Sequence, residues 1–442
     1  MSLFGSSSFG VPRMRPLSSK RASTVSVLDI GSSKVVCMIG RLTPREESQL
    51  LPGRTHRIEI VGIGHQKSRG MKAGVIADLD AVEAAVRLAV DAAERMAGLT
   101  VESLIVNVSA GRLASDVYSA GIALGGHEVD AADLKKVVNA AAQQTLAHDR
   151  AIIHSLPTAF TLDGERGIRD PIGMYGDQLA VDMHVLSADR APLKNLELCI
   201  NRAHLSVEAM VATPYASGLA ALVDDEADMG CAAIDLGGGT TTISLFAEGK
   251  LVHVDAIALG GHHVTMDLAR GLSTRVEDAE RLKVVHGSAL ATAVDERDMV
   301  TIPPIGDEEH DLPSQVSRAL LVRIVRARVE ETLEMIRDRL QRSGHSATIG
   351  KRIVLTGGAS QLTGLAEVAR RILGRNVRIG RPMGISGLPP AAKGPAFSTA
   401  VGLMIYPQVA GMENHGSGQT MFGAAGGAGR IARMGQWLKE SF

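Results

Sequence analysis

Aromatic side chains are nearly missing from this chain. Four Tyr, seven Phe and a single Trp make up 3% of its 442 residues. Its cores must be aliphatic, built from the Ala, Val, Leu and Ile that dominate a 45% hydrophobic content. Cysteine is scarce too. Cys37, Cys199 and Cys231 each sit alone in an apolar run, which excludes a disulfide framework or a cysteine zinc site and predicts buried thiols in a reducing compartment. Neither sign of charge is in excess: 47 basic against 48 acidic residues leave a net charge of −1. The bulk surface has no general attraction for nucleic acid, and none is expected as a partner. No run approaches the roughly 18 apolar residues of a membrane-spanning helix. The Ser/Gly/Pro/Arg-rich start has no apolar segment of signal type, so the expected location is cytoplasmic. His262-His263 is the one adjacent histidine pair and has no carboxylate at ligand spacing. Two common nucleotide fingerprints are also absent. There is no Gly-x-x-x-x-Gly-Lys-Ser/Thr, so Lys34 is not a P-loop lysine, and no Gly-x-Gly-x-x-Gly opens a helix.

What is present is a set of three glycine turns, each after a short apolar strand-type run. They read Asp29-Ile-Gly31-Ser32-Ser33-Lys34, Asp235-Leu-Gly237-Gly238-Gly239-Thr240-Thr241 and Leu355-Thr-Gly357-Gly358-Ala359-Ser360. The first two share one design: strand, Asp, glycine turn, hydroxyl residues, second strand. They predict two copies of one phosphate-gripping hairpin facing each other across a cleft. Glycine lets backbone approach phosphate without a Cβ in the way, and successive N–H groups with Ser or Thr hydroxyls donate to its oxygens. Asp29 and Asp235 are placed to order waters on Mg²⁺, which keeps much of its hydration shell. The third turn is too far from any acid to be a metal site and suits the face of a base and ribose.

At this length the chain should hold two to four subdomains. Residues 1–23 are expected as a disordered tail. A hairpin over 25–39, a strand at Ile58–Ile63, a helix capped by Asp78 or Asp80 and a strand at Leu104–Val108 come first. A separate block over 109–187 is expected to carry two helix-like stretches and several strands. Beyond the second hairpin lie helices at Val264–Gly271 and Glu277–Val285, then a long one at Leu320–Leu340. The arginines near its start, Arg318, Arg323, Arg326 and Arg328, read first as a solvated face. Residues 407–429 read as a flexible tether because 416–429 is largely Gly, Ala and Ser.

The last thirteen residues form the second strong pattern. Ile431, Met434, Leu438 and Phe442 fall on one helical stripe flanked by Trp437, with Arg430, Arg433 and Lys439 on the other side. That arrangement is an interfacial amphipathic helix whose basic residues meet anionic headgroups. One short helix binds weakly, so stable attachment requires several copies and hence self-association.

Two phosphate hairpins followed by an adenosine-type turn resemble the actin-like ATPase superfamily. Within it the chain is similar to the FtsA family of bacterial cell-division proteins over nearly all of 25–442. The resemblance rests on Gly70-Met-Lys-Ala-Gly-Val-Ile-Ala-Asp78, the 154–174 stretch, Asp278-Ala-Glu-Arg-Leu-Lys283 with His286-Gly287, Leu355–Ser360 and the basic terminal helix. It implies an α/β, actin-like two-domain fold with an inserted subdomain of the 1C type. Subdomain 1A would comprise 24–105, 188–228 and 392–406, and 1C would comprise 106–187. Subdomain 2A would comprise 229–262 and 336–391, and 2B 263–335. The terminal helix would be 430–442. It also implies ATP with Mg²⁺ in the cleft, polymerisation, attachment to the inner membrane, recruitment of later division proteins and binding of the C-terminal peptide of FtsZ. Carried over residue by residue, Gly31, Ser32, Ser33 and Lys34 match the first phosphate motif. Gly237, Gly238, Gly239, Thr240 and Thr241 match the second. Glu280 and Lys283 match a helix lining the nucleoside pocket, and Gly357, Gly358 and Ala359 match the adenosine turn. The FtsZ peptide would meet Arg323, Arg326 and Arg328. The match is loose at Pro214–Gly218, which offers no Gln or Glu to orient an attacking water. No catalytic base is assigned, and hydrolysis is expected to be slow at most.

Three other readings use the same motifs, of which a chaperone ATPase would need a substrate domain after the adenosine turn. A small-molecule kinase would need an Asp base beside a substrate hydroxyl, and the sequence gives no clear candidate. A pilus-assembly platform protein would share the insertion but usually lacks the tethered terminal helix.

Overall fold

The computed structural model describes residues 11–14, 17–18, 21–46, 54–109, 112–142, 149–305 and 313–413. Two sheets of related design organise them. In the first, the order is Ser206–Ala212, Ser103–Val108, Ser23–Ile30, Lys34–Pro44, His56–Lys67, Ile385–Ser386. In the second it is Lys250–Ile257, Thr241–Ala247, Cys231–Leu236, Arg352–Thr356, Asn376–Ile379. Each central strand pairs antiparallel with the strand after its glycine turn and parallel with a strand from farther along the chain. Such strands are covered on both faces and so read as unbroken apolar runs. Cys231–Leu236 and Thr241–Ala247 are buried throughout.

The helices divide by the faces they cover. Leu79–Ala97 is capped by Asp78, whose carboxylate accepts from Ala81 N at 3.1 Å, and ends at Gly98 in the left-handed region. Its Val82, Val86, Ala89 and Ala93 pack on the outer face of the first sheet. Thr213–Ala221 and Ser398–Ile405 lie between the two sheets. Ser398–Ile405 is buried all round, and eight of the nine residues of Thr213–Ala221 are buried. One core therefore joins Val25, Val27 and Met38 of the first sheet to Cys231, Ala233 and Phe246 of the second through Ala216, Ala220, Ala400 and Met404. A helix apolar on every face needs such a sandwiched position.

Two further units sit on this frame. Ala114–Ala123, Gln178–Asp189, Arg150–Leu162 and Glu165–Ile168 form a four-stranded antiparallel sheet in that order, covered by Ala131–Ala142. Of the two helix-like stretches expected here, this is the one seen among the described residues. The sheet also rests on the edge strand Lys250–Ile257 of the second sheet. Val254 N donates to Ser115 Oγ at 3.1 Å, Ser115 Oγ bonds His184 Nε2 at 2.7 Å, and His184 Nδ1 bonds Leu251 O at 3.0 Å. The other unit comprises Gly261–Gly271, Val276–His286, Arg318–Arg342 and the hairpin Met299–Ile302/Ser314–Ser317.

Both chain ends correct the expectation. Val11 and Met14, placed in a disordered tail, are buried in the core. Residues 407–413, placed in a tether, form two 3-10 turns against the body. The cause is a buried polar tie. Ala212 N donates to His154 Nε2 at 2.9 Å, which leaves Nδ1 as the donor to Glu413 Oε1 at 2.9 Å. Tyr215 and Tyr406 pack edge-on against the imidazole. Residues 414–429 of the expected tether and the helix 430–442, with Arg430, Ile431, Arg433, Met434, Trp437, Leu438, Lys439 and Phe442, lie outside the described residues.

Candidate functional site

A cleft of about 690 Å³ lies at the glycine-turn ends of the two sheets, and all three glycine turns open onto it. The two hairpins close alike: Gly31 N donates to Lys34 O and Gly237 N to Thr240 O, both at 2.9 Å. Asp29, Gly31, Ser32, Ser33, Lys34, Asp235, Gly237, Gly238, Gly239 and Thr240 all line the cleft. The turns meet each other across it. A Cβ on Gly238 would lie 2.0 Å from Ser33 Oγ, and one on Gly239 would lie 2.5 Å from Ser32 Oγ. Any larger residue at either position would push the facing serine aside. The start of Gly261–Gly271 docks on the second turn, with Gly261 N and His262 N donating to Gly237 O and Gly238 O at 2.9 and 2.8 Å.

Burial dominates the electrostatics. It pushes the Asp29 carboxyl up to about 7; Lys34 opposes the shift and Asp235 adds to it. Burial likewise raises Asp235, against a 2.9 Å hydrogen bond from Thr399 Oγ1 and the charge of Lys34. It lowers Lys34, against the pull of the two carboxylates. The Lys34 ammonium donates to Ala396 O and stands 3.5 Å from the centre of the Phe397 ring. Two acids and one lysine thus share a poorly solvated space, an arrangement that favours an added cation or proton.

The third turn overturns one expectation. It is far from any acid in the chain but not in the fold: a Cβ on Gly357 would lie 2.2 Å from Asp235 Oδ1. Gly357 has φ +83°, so both its conformation and this contact require glycine. Gly358 and Ala359 continue along the cleft wall, which Glu280 and Lys283 also line. Lys283 Nζ donates to Glu280 Oε2 at 2.7 Å, Thr265 Oγ1 at 2.9 Å and Gly261 O at 3.1 Å. Burial works against the Glu280 charge, but the bonds from Lys283 and Thr265 outweigh it and hold this carboxyl low.

One expected phosphate residue faces the wrong way. Thr241 is fully buried, and its hydroxyl donates to Leu259 O at 2.9 Å. Strand alternation puts Thr242 on the cleft side instead, directly across the hairpin from Asp235. Sequence reasoning also missed Ser68, Ser109, Thr213 and Thr399, which line the cleft. Ser109 Oγ and Thr213 Oγ1 bond each other at 2.8 Å, and both accept from Asn107 Nδ2. The Asp-Leu-Gly-Gly-Gly pattern does allow Thr242 to be found: a four-residue turn closed by Leu236 and Thr241 puts residue 242 opposite residue 235. Ser68 has no such local signal.

The lining fits a phosphate chain carrying a hydrated divalent cation. Where the two hairpins meet, it combines their glycine turns and hydroxyls with Lys34 and the two buried carboxylates Asp29 and Asp235. Among the described residues no group of three or more His, Cys, Asp or Glu is arranged to hold a metal. A cation here would therefore keep water in its shell, as Mg²⁺ does.

The arginines of Arg318–Arg342 divide. Arg328 Nε donates to Asp267 Oδ2 at 2.5 Å and its Nη1 to Glu331 at 2.6 Å. Arg326 Nε donates to Glu330 at 2.9 Å. Arg323 is exposed. Among the described residues no helix is long and apolar enough to cross a membrane.

Residues 232–402 match the model of the family "Cell division protein FtsA", and residues 110–187 match that of the "SHS2 domain inserted in FTSA". The chain is 77% identical to the cell division protein FtsA of Rhizobium meliloti over 442 residues, covering 100% of both chains. It is 31% identical to that of Escherichia coli K12 over 425 residues, covering 94% of this chain and 97% of the relative. In fold it is similar to a PilM-PilN type IV pilus biogenesis complex chain, with TM-score 0.59, 16% identity and coverage of 87% and 98%. It is also similar to MreB5 of Spiroplasma citri bound to ADP, with TM-score 0.52, 14% identity and coverage of 89% and 98%.

Proposed function

Because the chain belongs to the FtsA family of cell-division proteins and has the actin-like fold, we propose that it binds ATP with Mg²⁺ in the cleft. We further propose that it works as a polymer-forming adaptor that holds the FtsZ ring at the cytoplasmic face of the inner membrane and helps recruit later division proteins. The observation that carries the nucleotide reading is the convergence of three glycine turns, from two sheets of one design, on a single cleft. MreB5, which shares the fold, was solved bound to ADP. Family membership sets aside the kinase and pilus-platform alternatives.

Each part of the cleft has a task in this reading. Main-chain N–H groups of the turns and the hydroxyls of Ser32, Ser33 and Thr240 take phosphate oxygens. Lys34 leaves Ala396 O for the phosphate charge, while Asp29 and Asp235 hold waters of the cation. Mg²⁺, when bound, would supply charge neutralisation for the phosphates. Glu280 and Lys283, braced by Thr265, wall the nucleoside end. Groups from both domains meet one ligand, so binding favours the closed arrangement, and closure sets the shape that polymerises. Many copies then multiply weak contacts to lipid through Arg430, Trp437 and their neighbours, and to the acidic FtsZ peptide through Arg323, with Arg326 and Arg328 beside it.

The test has two arms. Gly238→Asp places a carboxylate against Ser33 and the phosphates, and should abolish ATP binding in equilibrium dialysis. Sedimentation with anionic liposomes and ATP·Mg²⁺ should pull down the full chain but not one ending at Gly429. Unchanged ATP binding would refute the nucleotide site, and equal sedimentation would remove the membrane role.

A further inference from the structure

Two buried hydroxyls in the cleft differ from the other buried hydroxyls nearby. Thr242 Oγ1 and Ser68 Oγ are buried and have no hydrogen-bond partner. Both residues line the cleft, with exposures of 1% and 8%. A hydroxyl turns freely and can both give and accept, so a buried one almost always finds a partner. Those nearby have done so. Thr241 bonds Leu259 O, Ser244 bonds Ala233 O, Thr265 bonds Gly261 O, and Ser109 bonds Thr213. Leaving one unmade costs the fold about 1–3 kcal/mol. Two such costs, one in each domain and both in the same cleft, mark groups aimed at a ligand.

Their positions say which part of the ligand. Thr242 lies across the hairpin from Asp235, and Ser68 is fixed on the first turn by donating its N–H to Ser33 O at 3.0 Å. Both therefore belong with the two phosphate hairpins. A hydroxyl cannot take up a proton near neutrality, so these groups suit holding an anionic oxygen or its water. They do not suit activating one.

We propose that Thr242 and Ser68 are positioning residues that recognise the terminal phosphate of a nucleoside triphosphate, so that this cleft tells triphosphate from diphosphate by two hydroxyl contacts, one from each domain. This rests on the reading of the cleft as a nucleoside phosphate site. It makes closure stronger with the third phosphate, because one further hydroxyl from each domain then holds the same group.

The test uses the full chain and calorimetric binding of ADP and of a non-hydrolysable ATP analogue, each with Mg²⁺. Thr242→Val and Ser68→Ala should each weaken the triphosphate analogue about 10- to 100-fold, the size of a lost hydrogen bond to a charged group. Affinity for ADP should stay within about threefold, since its phosphates are held by the turns. Nucleotide-free Thr242→Val should melt no lower than wild type, because it removes an unmet polar group. Thr241→Val, which breaks the bond to Leu259 O, should melt lower without changing the preference between nucleotides. Equal loss for both nucleotides, or none for either, overturns the proposal while leaving the nucleotide site intact. A wild-type chain that binds neither nucleotide overturns both.

Discussion

Glu413→Ala removes the group that fastens the end of the described chain to the body. His154 cannot compensate. Its Nε2 already accepts from Ala212 N, so the Nδ1 proton must point at residue 413. The imidazole is fully buried between Tyr215 and Tyr406, with no solvent to replace the lost acceptor. Stranding that donor and emptying the carboxylate's place should cost about 2–4 kcal/mol. At roughly 2–4 °C per kcal/mol for a unit of 150–250 residues, the thermal midpoint should fall by about 5–15 °C. Glu413→Gln keeps an oxygen acceptor and should cost about half as much or less. A chain ending at Gln408 should lose as much as Glu413→Ala. Differential scanning calorimetry of the full-length variants reads all of this directly. A Glu413→Ala midpoint within about 1 °C of wild type, well below the estimated cost, would refute the tie and restore 407–413 to the tether.

Three other outcomes are expected. With chelator and no nucleotide, the raised Asp29 pKa means that the folded chain keeps a proton the unfolded chain releases. This contribution is full below about pH 4 and is lost as pH rises through about 7, an upper bound of about 4 kcal/mol; Asp29→Asn should flatten the slope in urea melts. Equal slopes would contradict it. Gly357→Ala should destabilise by about 2–4 kcal/mol, from the left-handed conformation and the push on Asp235. Gly358→Ala, whose Cβ would meet only Ala396 Cβ at 3.7 Å, should melt near wild type. Arg328→Ala should lose about 1 kcal/mol with its Asp267 pair, whereas Arg323→Ala should cost almost nothing in stability. If an acidic peptide docks here, Arg323→Ala should weaken it in a fluorescence binding assay.

What could be read in the sequence follows from the distance over which each signal acts. The two hairpins were legible because strand, acid, glycine turn and strand lie within about fifteen residues. The Asp78 cap and the apolar stripe of Leu79–Ala97 were legible for the same reason. Thr241 was misassigned because motif matching ignores which face of a strand a residue takes, although the hairpin register decides it. The contact of Gly357 with Asp235 spans 122 positions and has no local trace. The tie of His154 to Glu413 spans 259. Glycine-rich composition beyond residue 415 hid it further by making the whole stretch look alike.

The inserted sheet has an effect beyond its own core. Lys250–Ile257 is the outermost strand of the second sheet, and an uncovered outermost strand offers a row of unpaired N–H and C=O groups to any passing chain. Here Val254 N and Leu251 O are already engaged by Ser115 and His184, and Lys250 Nζ reaches over to Thr158 O at 2.8 Å. The opposite margin, Asn376–Ile379, is only four residues long, and Arg378 is drawn back onto Glu226. Side-chain bonds on one margin and a short strand on the other thus guard both margins of this sheet against accidental strand pairing.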